Sequence, residues 1–241
     1  PNLITTVPDV TVAGVTNMGT VELLQGVIMS GRCVDALGTP LAGINIDVID
    51  LATGDNLDLL GDVSDAFGAF SLAVPIGNLE LRFDATPVTF KTVASVAFER
   101  VTTADFDLGD VVFPDGFRIT TVVQKPGGLP VVNADTDVAD VATGQTLYTP
   151  KDNTSASGLV SVVVPAGTYE FEICPPLSSL LVTKVISPVV VAADVNLGLT
   201  QLQAGVRLQG TISSSAGAVS GVDLDVRDSG TQALVATCND N

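Results

Sequence analysis

Carboxylates are the reactive side chains this sequence supplies in quantity. The 241 residues hold 27 acidic and 10 basic groups, for a formal charge of −17 and a pI near 4.1. Of the acids, 22 are Asp and 5 are Glu. They recur in a pattern. Asn45 with Asp47, Asp135 with Asp137, and Asp223 with Asp225 stand at alternate positions, and Asp50, Asp140 and Asp228 follow them. On a strand, two such carboxylates lie about 7 Å apart on one face. With loop oxygens they could hold Ca²⁺, a hard cation that takes six to eight oxygens. A pair of acids is also all that a glycosidase needs. The plainer reading is solvation and turn chemistry. Asp ahead of Thr-Gly bonds its own backbone in a turn, and outward Asp residues keep a sheet edge soluble or pair with Arg118 or Arg207. No Asp-x-Asp-x-Asp-Gly loop is present. Acids that recur in every stretch are scaffold residues, so no catalytic, cofactor or metal residue is assigned, and Ca²⁺ remains a possible cofactor only.

The remaining chemistry is thin. The chain has no His, which excludes His-based catalysis and His-ligated metals. Cys33, Cys174 and Cys238 therefore lack a His partner for a nucleophile. Cys33 falls in register with Val123 and Ile212 and reads as a core thiol. Cys174 ends a strand and Cys238 sits in a loop, so a disulfide repeated within each copy is ruled out and their pairing stays open. There is no Trp, and of the two Tyr residues Tyr169 aligns with Leu79 in the core, leaving Tyr148 as the one exposed stacking ring for a sugar.

The surface charge repels nucleic acid and anionic membranes. The most apolar run, 177–199, is broken by Lys184, Pro188 and Asp194, so no segment reads as membrane-spanning. Charged residues make up 15% of the chain and mean hydropathy is +0.48, where a typical soluble domain carries roughly 25% charged residues. Part of the surface is expected to be covered by neighbours, through self-association or adjoining domains.

The acids are positioned by a repeat. Asn17-Met18-Gly19, Asp107-Leu108-Gly109 and Asn196-Leu197-Gly198 are one motif at spacings of 90 and 89 residues (109 − 19 and 198 − 109). Aligned on Gly26, Gly116 and Gly205, each copy opens with an alternating strand. Its inward positions are Val27-Met29-Gly31-Cys33, Phe117-Ile119-Thr121-Val123 and Val206-Leu208-Gly210-Ile212. A turn then ends at Gly43, Asn133 or Gly221, residues that tolerate positive φ. The second strand points Ile44, Ile46 and Val48 inward, matched by Ala134, Thr136, Val138 and by Val222, Leu224, Val226. Gly68 and Gly158 open a further strand that ends in Val74-Pro75-Ile76-Gly77 or Val164-Pro165-Ala166-Gly167, read as a tight hairpin. About seven short strands per 90 residues describe an all-β sandwich.

The pattern Gly-x-Pro-x-x-Gly, strand, Thr-Gly, Gly-x-Phe-x-x-x-Val-Pro-x-Gly, strand resembles the carboxypeptidase-regulatory-like family. The resemblance implies transthyretin-like (prealbumin-like) sandwiches, similar in style to the B repeats of bacterial surface adhesins. Such modules serve as stalks, spacers, accessory domains and occasional glycan binders. The Lys that makes an internal isopeptide bond in adhesin B repeats has no consistent counterpart: the matching stretches offer Arg32, Gln124 with Lys125, and Ser213.

The expected organisation is 1–24, the C-terminal strands of a preceding repeat; 25–114 and 115–203, two whole repeats; and 204–241, the N-terminal half of another. Without an initiating Met, the chain is expected to be a window on a longer parent, with completion of its ends by neighbouring subunits as the other option. Junctions of two or three residues (Leu23-Leu24-Gln25, Phe113-Pro114-Asp115, Gln203-Ala204) predict a rigid rod. The functional expectation is a non-enzymatic structural region of an extracellular or cell-surface stalk, adhesin or filament. The alternatives are a glycan- or protein-binding accessory region of a secreted enzyme, or a Ca²⁺-stiffened adhesin.

Overall fold

The computed structural model describes residues 1–4, 11, 12, 14, 15, 17–88, 91–222, 226–232 and 234–236. Val10, Asp223, Leu224, Asp225 and Cys238 lie outside the described residues. The chain divides into two units, Pro1–Gly116 and Phe117–Asn241.

In the first unit the strands are β1 (Val27–Asp35), β2 (Asn45–Asp50), β3 (Asp55–Asn56), β4 (Ala69–Val74), β5 (Gly77–Asp84), β6 (Val96–Thr102) and β7 (Phe106–Phe113). They form two sheets, ordered β4-β1-β7 and β3-β2-β5-β6. Alternation decides which residues face inward. Val27, Met29 and Cys33 of β1 are buried, as are Phe70, Leu72 and Val74 of β4 and Phe113 of β7. They meet Ile46, Val48, Leu79, Leu81 and Phe83 of the other sheet in one core. Phe83 sits edge-on to Phe70 at 5.7 Å and to Phe113 at 6.3 Å, which ties all three rings across the sheets.

The second unit repeats this order with β8 (Phe117–Gln124), β9 (Asp135–Asp140), β10 (Leu159–Val164), β11 (Gly167–Cys174), β12 (Lys184–Val191) and β13 (Val195–Gln201). Its sheets are β10-β8-β13 and β12-β11-β9, closed over a core that includes Ile119, Val123, Val138, Tyr169, Phe171 and Ile173. This sandwich, residues 117–201, has six strands where the sequence predicts seven. The counterpart of β3 contracts to the bridge Ala139–Thr146, held by Asp140 N–H to Gln145 O at 2.9 Å and Leu147 N–H to Val138 O at 2.8 Å.

The Val-Pro-x-Gly segments turn out not to be hairpins. β4 and β5, like β10 and β11, belong to different sheets, so the turn carries the chain across the core. Pro75 and Pro165 have no N–H to give a ladder. Their carbonyls instead accept side-chain hydroxyls, Thr102 Oγ1 at 2.8 Å and Tyr169 Oη at 3.0 Å.

The thrice-used motif is a tight turn closed by its own Asx side chain, and in β7 and β13 it makes a bulge. Gly19, Gly109 and Gly198 have φ of 69°, 66° and 71°, and each donates its N–H to the Oδ1 of Asn17, Asp107 or Asn196 at 2.8–2.9 Å. In β7 and β13 it coincides with a register break against β1 and β8. A second device also recurs three times. Gly26, Gly116 and Gly205 donate to the carbonyls of Pro1, Thr92 and Leu180, while Leu3, Ala94 and Val182 donate to those of Leu24, Pro114 and Gln203, all at 2.7–3.1 Å. This clasp pins each of the three short junction segments to an upstream loop.

The two ends differ from the sequence expectation. The described residues of 1–24 form no strand beyond the bridge Asn2–Gln25. Val206–Ile212, expected as a first strand, is not one either: Val206 is 94% exposed and Leu208 81%. Ser213–Ser214 with Gly217–Ala218 and Val226–Arg227 with Leu234–Ala236 pair instead as short ladders. Among the described residues no sheet faces this segment, so alternation alone does not make a strand there.

Candidate functional site

The recurring acids are turn formers. Asp50 Oδ1 accepts the N–H of Ala52 at 2.9 Å. Asp140 Oδ1 accepts the N–H groups of Ala142 and Thr143 and the Thr143 hydroxyl, at 2.8–3.0 Å. Asp228 Oδ1 does the same with Gly230 and Thr231. These bonds favour the ionised form and hold the Asp140 and Asp228 carboxyls below their ordinary range, the Thr143 and Thr231 N–H groups contributing most. Asp47 accepts the Asn45 amide at 3.0 Å. Asp223 and Asp225 lie outside the described residues. The ion pairs of the described residues join Arg32 to Asp110, Arg82 to Glu80, and Lys91 to both Asp35 and Asp115; Arg118 and Arg207 take no part in them.

One patch differs between the units. In the first, Asp47 on β2 stands opposite Arg82 on β5. At the matching place in the second, Asp137 on β9 stands opposite Glu172 on β11. Asp135 lies on the same strand, and the loop residue Asp152 is brought in by Thr136 Oγ1 donating to its carbonyl at 2.7 Å. Four carboxylates thus share a patch whose counterpart holds Asn45, Asp47, Asp62 and a guanidinium. Burial raises the Asp152 carboxyl to about 6, opposed by the Thr149 hydroxyl at 3.1 Å and reinforced by Asp135 and Asp137. Burial and then Asp135 raise the Asp137 carboxyl as well. Burial, with a smaller contribution from the neighbouring acids, explains the shifts.

Asp137, Glu172 and Cys174 also bring one ligand atom each to within 4.8 Å of one another. Cys174 is in a disulfide, however, which removes its sulfur as a thiolate ligand. Cys33 is free and wholly buried; burial pushes its thiol up to about 12, so it is an inert core residue as its register implied. Tyr169 is buried as expected. Tyr148 is part-buried rather than an exposed platform. Sequence reading missed Phe67, a turn residue 75% exposed; its N–H is tied to Asp65 Oδ1 at 2.8 Å, and the ring is left in solvent. Its place ahead of Gly68 and outside the alternation was the available signal.

The Lys91 network was also missed, because its members are far apart in sequence. Asp35 ends β1 with its side chain buried, bonded to Lys91 Nζ at 2.8 Å and to the N–H groups of Leu37 and Thr39 at 2.9 Å. Lys91, then the Thr39 N–H, lower its carboxyl to about 2.

No family model matches the chain, and no curated protein matches it. Among solved structures it is similar to the Bacillus anthracis TIE protein (11% identity, TM-score 0.32), over 75% of this chain and 34% of that one. It is similar to the Streptococcal ancillary pilin (15% identity, TM-score 0.31), over 76% of this chain and 63% of that one. It is also similar to the shaft pilin SpaA from Lactobacillus rhamnosus GG (11% identity, TM-score 0.33), over 77% and 99%. The chain thus spans about a third of the first of these and under two thirds of the second.

Proposed function

We propose that this chain is a non-enzymatic structural region of an extracellular or cell-surface stalk, adhesin or filament. In this reading 1–24 is the tail of one repeat, 25–114 and 115–203 are whole repeats, and 204–241 is the head of another. The repeats are transthyretin-like sandwiches of the carboxypeptidase-regulatory-like kind, stacked in line. The observation that carries the reading is a contrast. Strand order, bulge and junction clasp recur at an offset of about ninety residues, whereas the charged patch on β9 and β11 does not keep its chemistry from copy to copy. What is repeated is architecture.

The clasp makes the mechanism concrete. Each junction segment is hydrogen-bonded to a loop of its own unit, which supports short, ordered junctions in this reading. No helix of the described residues is long and apolar enough to cross a membrane. The partners in this reading are neighbouring domains or further copies of the chain.

Analytical ultracentrifugation with electron microscopy tests the proposal. Strings of beads or elongated monomers are the expected result. A compact monomer that binds glycans, with binding lost in Phe67→Ala, would overturn it in favour of an accessory binding region.

A further inference from the structure

We propose that each sandwich is a shear-loaded clamp, in which the pairing of β1 with β7, or of β8 with β13, sets the force at which it opens under tension. The bearing of this on a stalk rests on the function proposed above; the geometry of each unit stands by itself. β1 and β7 are parallel, running from Met29–Phe106 to Asp35–Phe113. β8 and β13 are parallel from Ile119–Val195 to Gln124–Gln201. The chain therefore enters the pair at one end and leaves it at the other. Tension along the chain draws the two strands in opposite directions along their own axes, and every hydrogen bond between them is loaded at once. An antiparallel pair pulled from adjacent ends would open one bond at a time.

Side chains cross the same pair in both units, through one shared Asp contact and a second that differs. In the first unit Asp105 Oδ1 accepts the Ile28 N–H at 2.8 Å, and Arg32 makes a two-pronged pair with Asp110 at 2.9 and 3.0 Å. In the second, Asp194 Oδ1 accepts the Arg118 N–H at 2.9 Å, and the Thr121 hydroxyl meets the Gly198 carbonyl at 3.0 Å and Thr200 at 2.9 Å. The Asx-Gly bulge adds a step in the register that one strand cannot slide past without breaking. A shared Asp contact and a second contact of different chemistry serve the same seam, which singles out β1–β7 and β8–β13 as the places where each sandwich is held closed.

Single-molecule force spectroscopy on the full chain tests this by comparing two attachments. Pulled from its ends, the chain is expected to show two unfolding events, each releasing roughly 300 Å. With handles at the exposed Gln25 and Ile76, the load falls on the adjacent ends Val27 and Val74 of the antiparallel β1–β4 pair. The first unit should then open at a force lower by about twofold or more, as expected when forced opening follows the unfolding barrier of the loaded bonds. Arg32→Ala, at an exposed ion pair with little equilibrium weight, should lower the end-to-end force of the first unit alone. Equal forces in the two attachments, or Arg32→Ala lowering both events alike, would overturn the clamp. The outcomes are separable from those of the stalk reading. A weak end-to-end force leaves a stalk of weak units standing, and a compact monomer in solution leaves the force comparison standing.

Discussion

Gly31 and Phe70 share one volume. They are cross-strand partners on β1 and β4, and a Cβ at Gly31 would lie 2.7 Å from the Phe70 ring. The matching partners on β8 and β10 are Thr121 and Val160. The two units thus solve one packing problem with opposite allocations of size, which a one-sequence reading of alternation does not reveal. Gly31→Thr is expected to cost about 1–3 kcal/mol by overpacking. In a double-mutant cycle by urea denaturation, Gly31→Thr with Phe70→Val should cost less than the sum of the single changes. Simple additivity would contradict the shared volume. Charge gives a second test at this scale. The Asp152 carboxyl is raised in the folded state, so its contribution is fully present below about 4 and is lost as pH rises through about 6. At roughly 1.4 kcal/mol per pH unit the upper bound is about 3 kcal/mol, reduced by the carboxylate's partial contact with water. Asp152→Asn should raise the melting temperature at pH 7.5 and flatten its change between pH 4 and 6. Asp35 has the opposite sign: its stabilisation is present above about 4 and is lost as pH falls through about 2.

Turns and bulges carry the fold at the scale of elements, and much of this was legible. Gly43, Asn133 and Gly221 have φ of 82°, 56° and 68°, as their residue types implied. The inward faces of β1, β2, β8 and β9 follow from period-two alternation. What alternation could not show is which strands pair: that β7 lies parallel to β1, or that Pro75 and Pro165 mark a passage between sheets. Pairing is decided by contacts across about eighty residues, and local pattern has no term for them. Glycines separate two causes of cost. Gly109 and Gly158 have similar φ, 66° and 79°, but a Cβ at Gly109 meets open space whereas at Gly158 it would collide with the Val123 carbonyl. Gly109→Ala is therefore expected to cost about 1–2 kcal/mol, the left-handed penalty alone. Gly158→Ala should exceed it clearly, because backbone must also move. Equal losses in chemical denaturation would contradict the distinction.

At the scale of the whole molecule, β4-β1-β7 and β10-β8-β13 share one strand order, while the ends show how far pattern depends on company. Val206 and Leu208 alternate as β1 does, yet among the described residues they pair with no strand and remain in solvent. The proposed function requires that equivalent sandwiches follow one another in line as scaffolding. Small-angle X-ray scattering of the intact chain tests it most directly. A compact fold of this length would have a radius of gyration of about 18 Å. The in-line account expects a value well above that, with the pair-distance curve of an elongated particle; a radius near 18 Å with a symmetric curve would contradict it.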